Sequence, residues 1–363
     1  MRHSIKKIVK RIPFYYQVDF VRRRIYEAKI FDFRINKLAH ALEHYPVGLI
    51  IDTTNRCNAQ CVWCPHPAAR PQPQEMDDHL YKKILKDFSC RRGTVKFGNY
   101  GEPLLDEKFL ERIEFLKNYK NIILVDMNTN ISLLSKDIAA ELIRLNVHLE
   151  LSLDELDKDI YQRVKGLDYE RVMGNLFDLL DLNRKAKRPV RIIVKIKTLQ
   201  NYREIYNNPL HSKIKNLLTT GFIELLPIAE EDPINRMGGS FDKDKFEKLF
   251  IKKKKIKNNY RRYNLLNPSP CTALWRYMVI VPHGNVVQCC VDVNQSVVLG
   301  NLAHQSIEEI WRGNIITELR GKAINREREK MILCRNCDLH QGWQYLRRYY
   351  ALSDNLIKDP LLR

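Results

Sequence analysis

Residues 53–65 read Thr53-Thr54-Asn55-Arg56-Cys57-Asn58-Ala59-Gln60-Cys61-Val62-Trp63-Cys64-Pro65, and they begin one residue after the apolar run Val47-Gly48-Leu49-Ile50-Ile51. Three thiolates at this spacing leave one iron of a four-iron, four-sulfur cluster without a protein ligand. That iron keeps a position for a small molecule, whereas a cubane held by four cysteines is a closed electron carrier. Zinc is the rival occupant. Structural zinc sites usually pair cysteines as Cys-x2-Cys and close with a fourth ligand, for which His66 is the local candidate. Spacing alone leaves both metals open.

Outward from this loop, strand and helix patterns alternate. Strands are expected at Leu49–Asp52, Val95–Phe97, Ile122–Met127, His148–Leu153, Val190–Lys197 and Phe222–Leu226. Helices are expected at Asp77–Phe88, Glu107–Tyr119, Leu134–Leu145, Tyr169–Lys185 and Ile205–Leu218. Parallel strands need crossover connections, so successive β/α units argue for a parallel sheet. Functional residues in such sheets gather at the C-terminal strand ends, and the cysteine run leaves the first strand at that end.

The bulk numbers are compatible with an enzyme of this size. A chain of 363 residues with 44% hydrophobic content can bury a real core. No apolar run approaches the roughly 18 residues of a spanning helix, and Lys10 and Arg11 interrupt the N-terminal apolar residues before a signal peptide could form. A cytoplasmic location is the expectation, and there nine cysteines point to metal or redox chemistry rather than disulfides. The formal charge of +19 predicts attraction to anions, whether substrates, nucleic acid or an acidic membrane face. Much of it lies at Arg2–Arg24 and Lys252–Arg262. Ser4–Lys10 and Gln17–Leu42 read as basic helices whose short apolar stripe suits packing on the next domain and also allows peripheral membrane contact. No stable nucleic-acid partner is expected, since the Lys252–Lys257 run lacks interleaved aromatics.

The cysteine run resembles the cluster loop of the radical S-adenosylmethionine (radical SAM) enzymes, and further elements support the likeness. Gly98-Asn99-Tyr100-Gly101-Glu102-Pro103 after the second strand resembles that family's Gly-Glu-Pro element. Asn128-Thr129-Asn130-Ile131 after the third resembles its Thr-Asn-Gly turn, with Ile131 in the glycine's place. Glu150-Leu151-Ser152-Leu153-Asp154 resembles its Ser-x-Asp element, and Tyr161–Gly166 a segment in which Lys165 replaces an arginine. Taken singly, the first reads equally as a β-turn and the third as a helix cap. The resemblance implies that Cys57, Cys61 and Cys64 ligate the cluster, and that Gly101, Glu102, Asn130, Ser152, Asp154 and Lys165 bind S-adenosylmethionine.

A second set begins at Cys271, followed after twelve residues by Gly284 and after four more by Cys289, with Cys334-Arg335-Asn336-Cys337 closing it. This resembles the SPASM and twitch auxiliary-cluster domains, with Pro282–Asn285 as a hairpin turn, Leu299–Leu302 as a later turn and Ser306–Trp311 as a helix. No cysteine follows Cys337, and Gly342 and Trp343 stand where the next would fall. The resemblance therefore implies a short module with one auxiliary four-iron, four-sulfur cluster on Cys271, Cys289, Cys334 and Cys337. Alone, four cysteines ending in Cys-x2-Cys suit a zinc ribbon as well. Cys290 could replace Cys289 as ligand. Cys290 and Cys90 default to inert thiols and are the candidates for a hydrogen-atom donor.

The implied architecture is a partial (β/α)6 barrel with a small C-terminal α+β iron–sulfur domain. Its expected parts are a basic helical extension (1–46), the barrel (47–228), a linker (229–266), the SPASM module (267–345) and a tail (346–363). The implied chemistry is reductive cleavage of S-adenosylmethionine to a 5′-deoxyadenosyl radical that abstracts a substrate hydrogen. An external donor such as flavodoxin or ferredoxin supplies the electron. The 2-deoxy-scyllo-inosamine dehydrogenase-like group suggests oxidation or epimerisation of a carbohydrate-like or aminocyclitol metabolite. A SPASM-type peptide maturase and a cluster-bearing nucleic-acid binder are the alternatives.

Overall fold

A computed structural model describes residues 40, 42–64, 72–198, 200, 202–227 and 271–337. The expected helices before Leu42, His66, the 229–266 linker with Lys252–Lys257, Gly342, Trp343 and the tail lie outside the described residues. Six parallel strands carry the barrel: β1 (Gly48–Ile51), β2 (Gly93–Phe97), β3 (Ile122–Thr129), β4 (His148–Ser152), β5 (Ile192–Thr198) and β6 (Gly221–Pro227). Three C-terminal strands, β7 (Tyr277–Ile280), β8 (Asn285–Val287) and β9 (Val298–Asn301), extend the same sheet. The order is β6-β5-β4-β3-β2-β1-β7-β8-β9. β7 runs parallel to β1, and β8 and β9 return antiparallel.

The helices follow from capping and apolar spacing. In α1 (Asp78–Phe88) the Asp77 side chain accepts from the backbone N–H groups of His79 and Leu80, while Tyr81, Ile84, Leu85 and Phe88 form one buried stripe. α2 (Phe109–Leu116) and α3 (Lys136–Arg144) follow β2 and β3. Two helices separate β4 from β5. α4 (Lys158–Lys165) is capped by Asp157 and ended by Gly166 at φ +65°, and α5 (Tyr169–Lys185) matches the expected span.

Two expectations are corrected. The helix expected at Ile205–Leu218 is two, α6 (Tyr202–Asn207) and α7 (Pro209–Leu217), because Pro209 cannot continue the first and Asn208 caps the second. Leu299–Leu302, read as a turn, belongs largely to strand β9. The expected helix near Ser306 is α8 (Ile307–Trp311), whose Ser306–Glu309 capping box holds its start, and α9 (Asn314–Ile324) follows.

Alternation along the strands sorts the two sheet faces. Leu49, Ile51, Val95, Phe97, Val125, Met127, Leu149, Leu151, Ile192, Val194 and Ile196 are buried on the helix side and form the main core. The opposite face, which lines the barrel, carries charge. Glu150 stands between Lys96, at 2.8 Å, and Lys195, while Arg191 meets Asp126 at 3.0 Å. Burial opposes ionisation of Glu150, but the two ammonium groups outweigh it and hold the carboxyl well below the usual range.

Candidate active site

The three cysteines of the first run sit on the loop leaving β1, at the strand end where β2, β3 and β4 also deliver their motifs. Close backbone approach builds this place. A side-chain carbon added to Gly101 would lie 2.2 Å from the Thr54 carbonyl oxygen, so only glycine lets the β2 loop lie against the cysteine loop. The Glu102 backbone N–H then donates to the Arg56 carbonyl at 2.8 Å. The Glu102 carboxylate is buried and accepts from the Thr129 hydroxyl at 2.8 Å and from the Asn130 N–H at 2.7 Å. Burial raises its pKa to about 6.

Asn130 ties β3 to the cysteine loop, donating to Asn58 at 2.8 Å while accepting from Ser132. Ile131, in the glycine's place, nevertheless adopts a left-handed backbone at φ 74° and is fully buried. Asp154 and Lys165, singled out separately from sequence, are partners. The Lys165 ammonium lies 2.7 Å from the Asp154 carboxylate and donates to the Ser152 carbonyl at 3.0 Å. Burial works against the Lys165 charge, but Asp154 and nearby Cys61 outweigh it and its pKa rises. Ser152 takes part through its backbone oxygen.

Burial pushes the Cys57 thiol up to about 11 and raises Cys61 as well. Bare, these groups are neutral thiols, and a metal would have to displace their protons to bind. Among the described residues, three buried polar atoms find no partner: the Thr53 hydroxyl and the Asn128 side-chain oxygen at these strand ends, and the Tyr161 hydroxyl on α4. Lys197, at the end of β5, has its ammonium 5.3 Å from the Trp63 ring centre, and burial lowers its pKa. Unsatisfied polar atoms beside soft thiols fit a bound polar ligand on a thiolate-held cluster better than a closed apolar core.

Sequence reasoning missed Asp52. Buried at the end of β1, it accepts from the Asn99 N–H at 2.7 Å and from that of Tyr100 at 3.2 Å. Burial raises its pKa to about 7. A lone acid closing an apolar strand was the signal available.

The later cysteines meet where β7 and β8 reach the barrel. Cys271 precedes β7, Cys289 and Cys290 follow β8, and Cys334 and Cys337 bracket a short turn. Cys334 lies within electrostatic reach of Cys271 and Cys289, as Cys290 does of Cys271 and Cys337. The Gln288 amide donates to the Cys334 sulfur at 3.3 Å, and the Arg328 guanidinium donates to the carbonyls of Cys334 and Cys337. Cys290 packs with Ile50 and Tyr100 against Val279, Val281 and Val287, on the barrel-lining face. Cys90 is exposed and precedes β2, at the opposite end of the strands. Among the described residues, no three His, Cys, Asp or Glu side chains stand at the spacing of a single-ion site.

Family models match the chain in two places. Residues 51–207 match the radical SAM superfamily, and residues 271–338 match SPASM, an iron–sulfur cluster-binding domain. The chain carries a radical SAM domain followed by a SPASM domain. Its cofactors are therefore S-adenosylmethionine, a four-iron, four-sulfur cluster and auxiliary iron–sulfur chemistry in the SPASM domain. Among curated proteins it is similar to the S-adenosyl-L-methionine-dependent 2-deoxy-scyllo-inosamine dehydrogenase of Niallia circulans, 21% identical over 79% of this chain and 91% of that protein. A GTP 3′,8-cyclase of Clostridium botulinum is 27% identical over 50% of the chain, which spans 57% of that relative. Among solved structures, BtrN in complex with AdoMet and 2-DOIA aligns with TM-score 0.51 at 20% identity, covering 80% of this chain and 92% of that one. Streptococcus suis SuiB bound to precursor peptide SuiA aligns with TM-score 0.59 at 16% identity, covering 90% and 75%. These structural likenesses establish the fold. No helix among the described residues is long and apolar enough to cross a membrane.

Proposed function

We propose that this radical SAM enzyme oxidises or epimerises a carbohydrate-like or aminocyclitol metabolite. The carrying observation is the alignment with the 2-deoxy-scyllo-inosamine dehydrogenase over 91% of its length and 79% of this chain. In this reading Cys57, Cys61 and Cys64 hold the open cluster, and Cys271, Cys289, Cys334 and Cys337 hold one auxiliary cluster. When bound at the open cluster held by these residues, S-adenosylmethionine would supply the radical chemistry that removes a substrate hydrogen.

The chain's own residues bind, orient and shield. Gly101 admits the close loop packing, Glu102 and Asn130 fix the ends of β2 and β3, and the Asp154–Lys165 pair holds the ends of β4 and α4. The buried Tyr161 and Thr53 hydroxyls have no partner among the described residues. Lys197 and the Lys96–Glu150–Lys195 group give the barrel interior a cationic character that suits a polar or anionic small molecule. Oxidation needs an electron acceptor close to the substrate, and the later cysteines stand at the barrel rim. Epimerisation needs a hydrogen donor instead, and Cys290 faces the barrel while Cys90 does not. A flavodoxin- or ferredoxin-like donor would reduce the open cluster.

A peptide-maturase reading draws on the likeness to SuiB, which reaches 90% of this chain. Anaerobic reconstitution separates these readings. Iron should reach about eight per chain, and dithionite with S-adenosylmethionine should release 5′-deoxyadenosine. Iron near four sinks the two-cluster reading, and zinc without iron sinks the radical assignment of the site. Turnover of an aminocyclitol panel in deuterated water follows: solvent deuterium in product marks epimerisation, its absence with a new carbonyl marks dehydrogenation. Turnover only with a peptide overturns the metabolite reading.

A further inference from the structure

One short loop touches both cysteine sets. From the end of β2, Gly98 turns the chain at φ +80°, and the Asn128 amide donates to its carbonyl at 2.9 Å. The next two residues reach toward the later cysteines. The Asn99 amide donates to the Cys290 carbonyl at 3.2 Å, and the Tyr100 hydroxyl donates to the Cys289 carbonyl at 3.1 Å. The following two residues reach the other way, with Gly101 against the Thr54 carbonyl and the Glu102 N–H donating to Arg56, the residue before Cys57. Buried Asp52 gathers the backbone N–H groups of Asn99 and Tyr100 from below and fixes the loop to β1. Asp52 in turn donates its own N–H to the Ile280 carbonyl at the end of β7. A continuous route of chain and two hydrogen bonds thus runs Cys289, Tyr100, Glu102, Arg56, Cys57.

We propose that residues 99–102 are a clamp that fixes the auxiliary site against the S-adenosylmethionine site, with Tyr100 and Asn99 as its positioning residues. Their donors also neutralise two carbonyl dipoles of the peptide that carries the Cys289 ligand. Hydrogen bonding and burial around ligands tune iron–sulfur potentials. The Tyr100 hydroxyl therefore raises the potential of the auxiliary cluster, and its loss leaves an uncompensated negative oxygen beside the cluster. Tyr100 packs against the Val279, Val281 and Val287 cluster, so the ring alone keeps the local packing when the hydroxyl is removed.

This inference rests on the reading that both cysteine sets carry clusters, and the two fail differently. The full-length chain with Cys57→Ala, Cys61→Ala and Cys64→Ala should retain about four irons, and its redox titration followed by electron paramagnetic resonance reports the auxiliary cluster alone. If that chain holds no iron–sulfur cluster, the two-cluster reading fails. With the cluster present, adding Tyr100→Phe should shift its midpoint to a more negative potential at unchanged iron content. Asn99→Ala should shift it the same way, and it supplies the readout if the tyrosine variant loses iron. Unchanged potential and unchanged spectrum in the variants that keep their iron overturn the clamp.

Discussion

Ile131 holds a left-handed backbone that a β-branched side chain rarely adopts. Strain of this kind costs about 1–3 kcal/mol. The side chain is fully buried in the main core, and truncating a buried isoleucine costs about 2–5 kcal/mol. At the middle of both ranges burial wins, so Ile131→Gly should lose about 1–2 kcal/mol in urea unfolding of the apo chain, despite giving the turn its usual residue. A stabilised glycine variant would show that strain dominates. Asp52 gives a pH test. Its carboxyl rises from 3.8 to about 7 on folding, so between those values the folded chain keeps a proton that the unfolded chain has lost. Its contribution is complete below the unfolded value and falls as pH rises through about 7, by roughly 4 kcal/mol at most. Asp52→Asn should therefore flatten the fall in apo-chain stability between pH 5 and 8, with Glu102, Asp126 and Asp292, raised by burial as well, contributing to the slope that remains. An unaltered slope refutes the assignment. The motif residues were legible because each sits alone at a strand end. Their partners were not: pairing Asp154 with Lys165 requires α4, whose charged sequence gives little apolar signal.

Two glycines in different elements show what the motif glycine is for. In α5, Gly174 has no atom within 4 Å of an added side-chain carbon. Gly174→Ala should stabilise the apo chain by about 0.5–1 kcal/mol through the unfolded state. In the β2 loop, the same change at Gly101 drives a carbon into the Thr54 carbonyl at 2.2 Å. Backbone meets backbone there, so the cysteine loop has to move. Reconstituted Gly101→Ala should carry about four fewer irons per chain than the parent, and Gly174→Ala should carry the parent's number. Equal iron in both would mean that the loop contact does not shape the first cluster site. Amphipathic α5 was legible to the residue because its apolar spacing runs unbroken between an aspartate cap and basic last-turn residues. The break at Pro209 was visible too, yet apolar spacing on both sides of it masked two short helices as one. β9 was obscured for another reason: four residues containing a glycine look like a turn until a partner strand is known.

At the scale of the molecule, the family resemblance implied two clusters but not that one sheet would carry both cysteine sets. Periodicity reports which residues are apolar, and it does not choose strand neighbours; β7 finds β1 only because the barrel leaves that edge open. The join is reinforced behind the sheet. The Trp311 indole donates to the Leu42 carbonyl at 2.7 Å, His44 meets Glu308 at 2.8 Å, and the Lys83 ammonium gathers the carbonyls of Leu302, Ala303 and Gln305. Chains of this length commonly unfold through intermediates, and a separate C-terminal module would add one. Here that module cannot leave without exposing the Leu49 and Ile51 edge and breaking the backbone ladder from Gly48 to Ile51. The apo chain should therefore lose far-ultraviolet dichroism and tryptophan fluorescence in one coincident urea transition, since Trp63 lies in the barrel and Trp275 and Trp311 beyond it. Trp311→Phe keeps the ring packing but removes the donor, and it should lower the midpoint of that single transition by an amount equivalent to about 1–2 kcal/mol. Two separated transitions, with only the fluorescence of the C-terminal tryptophans moving in the first, would mean that the sheet joins two independently stable halves.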